Sequence, residues 1–449
     1  MTKDSAPSEA SSSWRVPLLV AFIALCVRLG IVAWMPDAYQ FDAYQRWAGR
    51  EHLYVQVWLP ATQSLVWFVG KLGGTPVVLR VVFSVLGAIT IGMAVSLARS
   101  MSLDTEAESS PLRLSNKMWW LALPFTFFGP YVVWSSVPYQ ESTLIFFLFL
   151  GLLLHKRHSS LGDVAIGALA LVRYEGWPLI VVHWILRRNW KAVVLSSWGI
   201  VLWLTIRHFE LLEPYMASPD SFSDWNQLSE HLNPRKARHL LRQLWLMFDS
   251  SAAGWFLLAT LPVLARWRRW KYQHWMLFFA FWGQCAALFG WLFSLGIAFS
   301  RMMVLPVMLM APFTLIGFVW ALQRWSGWKR GLFITGIVAM CGWTLRDVVI
   351  DIEAFNKHNR WERELVRDIE SCEGDVWSMY PRVHSGPRAR HDGCEVVQGL
   401  TNLKVGEDFS CVPWGWGGPS ATLIANWDDE LKQYDVERVG GTSAGQCAY

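Results

Sequence analysis

The sequence predicts an all-α polytopic membrane protein with about eleven transmembrane helices. Three observations lead to this fold class: the composition, the recurrence of long apolar segments, and the placement of the basic residues. The chain has 449 residues, of which 53% are hydrophobic and only 17% charged, and it contains 30 tryptophans. Soluble globular proteins carry more charge and much less tryptophan, so the composition excludes an ordinary soluble enzyme or binding domain.

Apolar segments long enough to cross a bilayer, or nearly so, recur along most of the chain. We expect helices near residues 16–35, 76–98, 118–136, 140–154, 161–173, 176–187, 191–207, 251–266, 272–297, 302–322 and 331–349. The apolar stretch from Trp58 to Lys71 is only about half to two-thirds of a spanning length. We therefore expect an interfacial helix there, in the first outer loop.

Short clusters of Lys and Arg between the apolar segments predict the orientation of the chain. A cytoplasmic N-terminus satisfies the positive-inside rule, because it places on one side the basic residues at 99–117, 156–157, 187–191, 266–271 and 324–330. An odd number of spans then puts the C-terminal residues on the opposite side. The net charge of +5 is spread over these clusters, so membrane lipids are expected partners and nucleic acid is not.

Three parts of the chain follow from these signals: a cytoplasmic tail (1–14), a transmembrane domain (15–349) and a small soluble domain (350–449) that is periplasmic, extracellular or lumenal. The soluble domain has too little apolar periodicity to bury a large core without cross-links. We expect disulfides in an oxidising compartment among its four cysteines, Cys372, Cys394, Cys411 and Cys447. A zinc site is the alternative, although the CxxC spacing typical of such sites is absent.

The first outer loop, from Pro36 to Pro60, carries acidic residues among tyrosines and tryptophans. Asp37 and Asp42 follow the first apolar span directly. An acidic cluster at a membrane surface suits polar chemistry on a lipid-borne substrate. The alternative is a hydrated loop with an ordinary belt of interfacial aromatic residues.

Further ionisable residues lie at or just inside the outer ends of the predicted spans, namely Glu141, Arg173, Glu175 and Arg301. A charge at such depth is costly unless it faces a cavity and finds a partner. These four residues therefore join the acidic loop as candidates for a functional site.

Four motifs occur in the order found in one family of enzymes. They read FDAYQRWAGREHLY with VWLPATQSL, then FFGPYVVWSSVPYQESTLIFFLFLGLLL, then IGALALVRYEGWPLI, and finally RMMVLPVMLMAPF. The first three resemble the PIG-V type of GPI mannosyltransferase, and the fourth resembles a late span of the wider GT-C superfamily of glycosyltransferases. The resemblance covers about residues 15–320, with Phe41 where that family has Trp and Tyr174–Glu175 where it usually has Ser-Asn.

The resemblance implies an inverting glycosyltransferase that moves mannose from a polyprenyl or dolichyl phosphate donor to an acceptor hydroxyl at the outer membrane face. The acceptor would be a glycan, a glycolipid or a protein. Phosphate leaves as an anion without protonation, so the site has to supply a base for the acceptor hydroxyl and positive charge for the phosphate. Arginine can serve a single phosphate, so we expect no metal and no other cofactor.

Asp42 is the expected base because it lies at the matching position of the outer loop, and Asp37 is the alternative. Both carboxylates would instead serve as helix caps if the loop is purely structural. Arg173 is the expected phosphate ligand, but an ion pair with Glu141 or Glu175 explains it equally well. Arg301 is a second phosphate candidate, although an arginine at a helix end also snorkels to the interface.

Sugar or acceptor hydroxyls are expected to bind Tyr139, Gln140, Glu141, Glu175 and His52. Three other functions remain open. A secondary transporter would show repeated halves with charges near the midplane. A non-catalytic lipid-glycan assembly subunit could share the same fold. A GT-C enzyme could also transfer another sugar, such as arabinose, glucose or aminoarabinose.

Overall fold

The structure, a computed structural model, describes residues 14–34, 43, 46–47, 49–55, 59–101, 114–212, 253–295 and 304–368, together with five strands between residues 375 and 439. For 290–295, for 347–348 and from 350 onward it describes the backbone alone. The described part before residue 369 is almost entirely helical, which is the fold class expected for the membrane domain.

The α-helices in the described ranges vary in length from 4 to 42 residues. They are α1 (Arg15–Trp34), α2 (Pro60–Lys71), α3 (Pro76–Ser100), α4 (Leu123–Thr126), α5 (Gly129–Trp134), α6 (Gln140–Arg157), α7 (Ser159–Gly167), α8 (Gly176–Arg187), α9 (Trp190–His208), α10 (Ala253–Leu258), α11 (Leu261–Leu264), α12 (Tyr272–Leu295), α13 (Val304–Arg324) and α14 (Gly327–Asp368). Short 3₁₀ helices occur at Asn116–Ala122, Ala168–Leu171 and Trp267–Arg269.

Three of the described helices, α1, α3 and α13, are long and apolar enough to cross a membrane. To that extent the predicted helical membrane architecture is confirmed. The buried share of their most apolar stretch rises from 39% in α1 to 67% in α3 and 94% in α13. Helix α13 therefore lies at the centre of the helical unit, whereas α1 presents most of its surface outward.

The segment 118–136 is not the single helix that its apolar sequence predicts. It forms a 3₁₀ helix followed by α4 and α5, each of which begins with a proline at its first or second position. Pro124 and Pro130 cannot donate a backbone hydrogen bond and therefore start new helices instead of continuing one. The segment 251–266 is divided in the same way, into α10 and α11, with Pro262 in the first turn of α11.

Helix α2 confirms that the stretch before Lys71 is helical and too short to span. It begins at Pro60, and its buried Gln63 fastens the preceding loop by donating to the carbonyls of Gly49 at 2.9 Å and His52 at 3.2 Å. Two hydrogen bonds from one buried amide hold the end of the loop between Pro36 and Pro60 against α2.

Helix α14 continues through the expected domain boundary at 349–350, and the compact helical unit ends within it, at Asp351. Beyond it, the strands are β1 (Asp375–Ser378), β2 (Arg390–His391), β3 (Cys394–Gln398), β4 (Thr422–Asp428) and β5 (Gln433–Val439). They form one sheet in the order β2-β3-β1-β4-β5. The pair β1–β3 is parallel and the other three pairs are antiparallel.

Candidate functional site

Two connections of the helical unit carry the polar residues expected at its outer end. The first joins α5 to α6 and contains Ser135 to Tyr139, after which Glu141 lies in the first turn of α6. A carboxylate is favourable in that position because the N-terminus of a helix carries a partial positive charge. The second connection leads from the 3₁₀ helix at Ala168–Leu171 to α8 and contains Arg173 and Glu175.

Arg173 joins these two connections by binding both carboxylates. Its Nη1 donates to Glu141 Oε1 at 2.8 Å, while Nη2 and Nε donate to the two carboxylate oxygens of Glu175 at 2.7 and 3.1 Å. The Glu175 contact is a two-point pairing of a planar guanidinium with a planar carboxylate, which is among the strongest side-chain pairings in proteins. We call Glu141, Arg173 and Glu175 the acidic triad.

The acidic triad is shielded from solvent and carries an excess negative charge. Its side chains are 9%, 18% and 19% exposed for Glu141, Arg173 and Glu175, and two carboxylates face one guanidinium. Burial by itself would raise the pKa of Glu175, but the charge and hydrogen bonds of Arg173 outweigh burial and hold that pKa below its usual range. Both ion pairs that the sequence offered as the alternative role of Arg173 are therefore formed.

Aromatic side chains border the acidic triad on the side of each connection. Tyr139 is buried and packs edge-to-face on Trp134, with ring centroids 5.1 Å apart. Tyr174, between Arg173 and Glu175, is exposed and lies 6.0 Å from the ring of Trp177. The exposed ring of Tyr174 therefore offers, beside the carboxylates, an aromatic face on which a sugar ring can pack, because such rings have one apolar face and a polar edge.

A further cation, Arg207, lies close to this aromatic border and was not among the expected site residues. Its Nη1 donates to the hydroxyl of Tyr54 at 3.3 Å, and Tyr54 packs edge-to-face on Trp203. Tyr54 and Trp203 share a buried cluster with Leu59 and Leu171, which is the last residue of the 3₁₀ helix before Arg173. Arg207 ends a predicted span, so its position at a helix terminus was the available signal.

His52 and Glu51 lie at the protein surface, in the loop between Pro36 and Pro60. Glu51 pairs with Lys71 at 2.6 Å, and that hydrogen bond lowers the pKa of the Glu51 carboxyl. Both side chains of this pair are about half exposed, so its contribution to stability is small. The acidic triad does not include His52, whose proposed contact with sugar remains a prediction.

Several expected site residues lie outside the described residues. They are Asp37, Asp42, Arg301, Cys372, Cys411 and Cys447. Cys394 lies in β3, where only the backbone is described. The cysteines whose side chains are described, Cys26, Cys285 and Cys341, are free thiols.

A second buried polar cluster lies near helix ends that carry the basic residues assigned to the cytoplasmic side. His183 on α8 accepts from or donates to the hydroxyl of Tyr272 at 2.6 Å, and its other ring nitrogen lies 3.2 Å from Asp163. Asp163 also lies 3.6 Å from Nε of Arg187, and the ring of His155 packs on that of Tyr272. Four helices, α6, α7, α8 and α12, are thereby joined at one end.

Comparison of the chain with known proteins identifies no relative. No protein-family model matches the chain. No curated protein matches it, and no solved structure does. Function is therefore inferred from the motifs and from the geometry of the site.

Proposed function

We propose that this protein is an inverting glycosyltransferase that moves mannose from a polyprenyl or dolichyl phosphate donor to an acceptor hydroxyl at the outer membrane face. The observation that carries the proposal is the acidic triad, where Arg173 contacts Glu141 and Glu175 at 2.7–3.1 Å. Two of the motifs that resemble the PIG-V type of mannosyltransferase meet there, although 32 positions separate Glu141 from Arg173.

The acidic triad suits a sugar because its carboxylates have acceptor capacity to spare. An ionised carboxylate has about four lone-pair sites, and the contacts above use one oxygen of Glu141 and both oxygens of Glu175. Sugar hydroxyls are donors that such oxygens bind well, and Tyr139, Gln140 and Tyr174 supply neighbouring polar and aromatic contacts. Arg173, held in place on both sides, would then position these acceptors.

The proposed reaction is a single displacement at the anomeric carbon. Asp42 takes the proton of the acceptor hydroxyl as that oxygen attacks the carbon from the face opposite the phosphate. The bond from the anomeric carbon to the phosphate oxygen breaks, and its electron pair leaves with the lipid phosphate. One displacement inverts the configuration. Arg173 and Arg301 are the proposed cations for the departing phosphate, with Asp37 as the substitute base.

The proposed architecture has about eleven spans with a cytoplasmic N-terminus. Its soluble C-terminal domain would then lie in an oxidising compartment, where Cys372, Cys394, Cys411 and Cys447 form disulfides. The lipid-phosphate donor would enter from the bilayer, with the acceptor arriving from the same outer side as the soluble domain.

The proposal is tested by incubating the purified protein with a panel of polyprenyl phosphate sugars and measuring release of lipid phosphate. We expect release with polyprenyl phosphate mannose, and loss of release by at least about 100-fold in Asp42→Asn, because removal of a general base costs about that factor or more. Glu51→Gln is the matched control, since it removes an exposed carboxylate from the same loop. Absence of release with every donor would contradict the proposal.

A second function, a non-catalytic assembly subunit, is favoured by the pairing of Arg173. A guanidinium bound to two carboxylates already has strong partners, as in a purely structural ion pair. The same assay separates the two functions. A subunit would release no lipid phosphate in wild type, whereas a transferase loses release on Asp42→Asn while the protein still elutes as a folded species from size-exclusion chromatography.

A further inference from the structure

Helix α1 contains a fully buried arginine, Arg28, which is not part of the acidic triad. The Nε of Arg28 donates to Ser135 Oγ at 2.8 Å, Nη1 donates to the carbonyl of Ala24 at 3.1 Å, and the guanidinium lies 5.0 Å from the ring centre of Tyr131. Its relative exposure is 0%. Within the described residues, Nη2 has no hydrogen-bond partner and no carboxylate pairs with Arg28.

A buried guanidinium in this state needs an anion. Arginine does not lose its proton in proteins, so it cannot avoid the cost of burial by becoming neutral. A buried charge without a counter-ion is strongly destabilising, and an unsatisfied donor adds to that cost. The described neighbours of Arg28 are a hydroxyl, a carbonyl and an aromatic ring, none of which carries a formal negative charge.

The surroundings of Arg28 hold more donors on one face of α3. Arg80, also fully buried, donates from Nε to the carbonyl of Ser136 at 3.3 Å. Ser84 lies one turn further along α3, is fully buried, and its hydroxyl has no hydrogen-bond partner among the described residues. Spacings of four residues place side chains on the same face of a helix. The face therefore carries a guanidinium and an unused hydroxyl.

Gly87, the next residue on this face of α3, lets the Arg28 side chain approach. A Cβ atom at Gly87 would lie 2.5 Å from Ser135 Oγ and 3.0 Å from Arg28 Nε, closer than side chains tolerate. The absence of that carbon allows the Arg28–Ser135 hydrogen bond to form directly against the α3 backbone. The guanidinium position is thus built into the packing of α1 on α3 and the connection after α5.

Phosphate is the anion that fits this set of donors. Planar guanidinium groups match phosphate oxygens in pairs, and a hydroxyl adds a further donor. Arg28 lies six residues before the end of α1, about 9 Å along the helix axis at 1.5 Å per residue. Both α1 and α3 are candidate membrane spans. A phosphate reaching this depth fits a group attached to a lipid better than a free ion from water.

We propose that Arg28, with Arg80 and Ser84, binds the phosphate monoester of a lipid. Identifying that lipid as the lipid phosphate released from the sugar donor rests on the proposed function, but the binding of a lipid phosphate does not. The site lies beside the connection from Ser135 to Tyr139, which ends one residue before Gln140 and two before Glu141. It would hold the lipid phosphate at the connection that also supplies the acidic triad.

The test measures binding to the full-length protein in phosphatidylcholine nanodiscs. Three probes separate the sources of the anion: a polyprenyl phosphate, the corresponding polyprenol without phosphate, and inorganic phosphate. We expect the polyprenyl phosphate to bind most tightly, and Arg28→Gln to weaken its binding about 10- to 100-fold, as loss of a charged hydrogen bond does. Arg15→Gln is the matched control, because it removes an exposed arginine from the same helix. Its binding should equal that of wild type.

Ser84→Ala keeps the test decisive if Arg28→Gln does not fold. In a purely structural core, removing an unpartnered buried hydroxyl, so that only a methyl group remains, leaves binding unchanged and the fold equally or more stable. In a phosphate site the same change weakens polyprenyl phosphate binding several-fold and leaves the melting temperature unchanged. Unchanged binding in Ser84→Ala and in every folded Arg28 variant would overturn the proposal. Equal binding of inorganic phosphate would overturn its assignment to a lipid.

Different results would contradict the proposed phosphate site and the proposed enzyme function. Binding of polyprenyl phosphate that depends on Arg28, in a protein that releases no lipid phosphate from any donor, would support the site and remove the enzyme function. Sugar transfer at the wild-type rate in Arg28→Gln, with wild-type affinity for polyprenyl phosphate, would contradict the site and leave the enzyme function in place.

Discussion

Arg173 illustrates how a buried residue acquires a role through its partners. Its guanidinium is held by one oxygen of Glu141 and both oxygens of Glu175, so it cannot reorient without breaking three hydrogen bonds. A charge fixed in this way positions the carboxylates around it as firmly as they position it. The chemistry of the site therefore depends on the triad as a unit.

Replacing Arg173 should destabilise the protein in proportion to the pairing that is lost. Arg173→Gln leaves two buried carboxylates without a cation and should cost about 3 kcal/mol or more. Arg173→Lys keeps the charge but not the two-point contact, and should cost about 1–2 kcal/mol. Thermal unfolding in detergent measures both, with the exposed Arg188→Gln as control. Equal melting temperatures in all variants would show that the triad adds nothing to stability.

The triad should also make stability depend on acid. The pKa of Glu175 is lowered in the folded protein, so the pair contributes fully above the ordinary value of 4.5 and is lost as the pH falls through the lowered pKa. Glu175→Gln cannot titrate. The difference in melting temperature between wild type and this variant should therefore be constant from pH 7 to about 5 and shrink below it. A difference that grows towards acid pH contradicts the lowered pKa.

At the scale of elements, several helices were predicted closely, among them α13, which contains an internal proline, Pro312. Helices α1, α3, α8 and α9 begin and end within two residues of the expected limits. The region 116–134 was predicted poorly. Its mean hydropathy is that of a continuous span, but Pro124 and Pro130 each start a new helix. Arg28 was missed for a related reason: a single arginine in an apolar run lowers the hydropathy slightly but belongs to no basic cluster.

Small residues where α7 and α9 cross give an element-scale prediction. A Cβ atom at Gly199 would run into the carbonyl of Gly167 and lie 3.2 Å from Ala170 Cβ, so Gly199→Ala should destabilise by about 1–3 kcal/mol. Gly30→Ala is the matched control, because nothing lies within 4 Å of the added carbon. Alanine should there be neutral or stabilise α1 by about 0.5–1 kcal/mol. Thermal unfolding measures the melting temperature of both variants. Equal melting temperatures would contradict the close crossing of α7 and α9.

For the whole molecule, composition predicted the class of protein, but local patterns could not predict how distant residues meet. Glu141 and Arg173 were each singled out as costly charges, and their pairing was one of two alternatives for Arg173. The contact between Arg28 and Ser135, 107 positions apart, had no local signal at all. Such contacts depend on which helix faces pack together, and one sequence does not encode that in any short pattern.

Orientation in the membrane is the prediction that belongs to the whole chain. A membrane-impermeant maleimide should label Cys372 from outside after reduction, in a variant that keeps it as the only cysteine, because the soluble domain is expected opposite the basic clusters. The control is Lys156→Cys in the same cysteine-free background, which should react only after the membrane is permeabilised. If Cys372 is protected until permeabilisation and Lys156→Cys is labelled from outside, the topology is the reverse of the predicted one.

The proline-divided region from Asn116 to Trp134 has a consequence for biosynthesis. Its pieces are four to seven residues long, too short to be stable alone or to enter a bilayer as independent helices. Several of its side chains are buried, and the region packs on α1 and on α13. Helix α13 is translated about 180 residues after this region. The connection that ends at the acidic triad therefore matures late, only once the C-terminal half of the bundle has been translated.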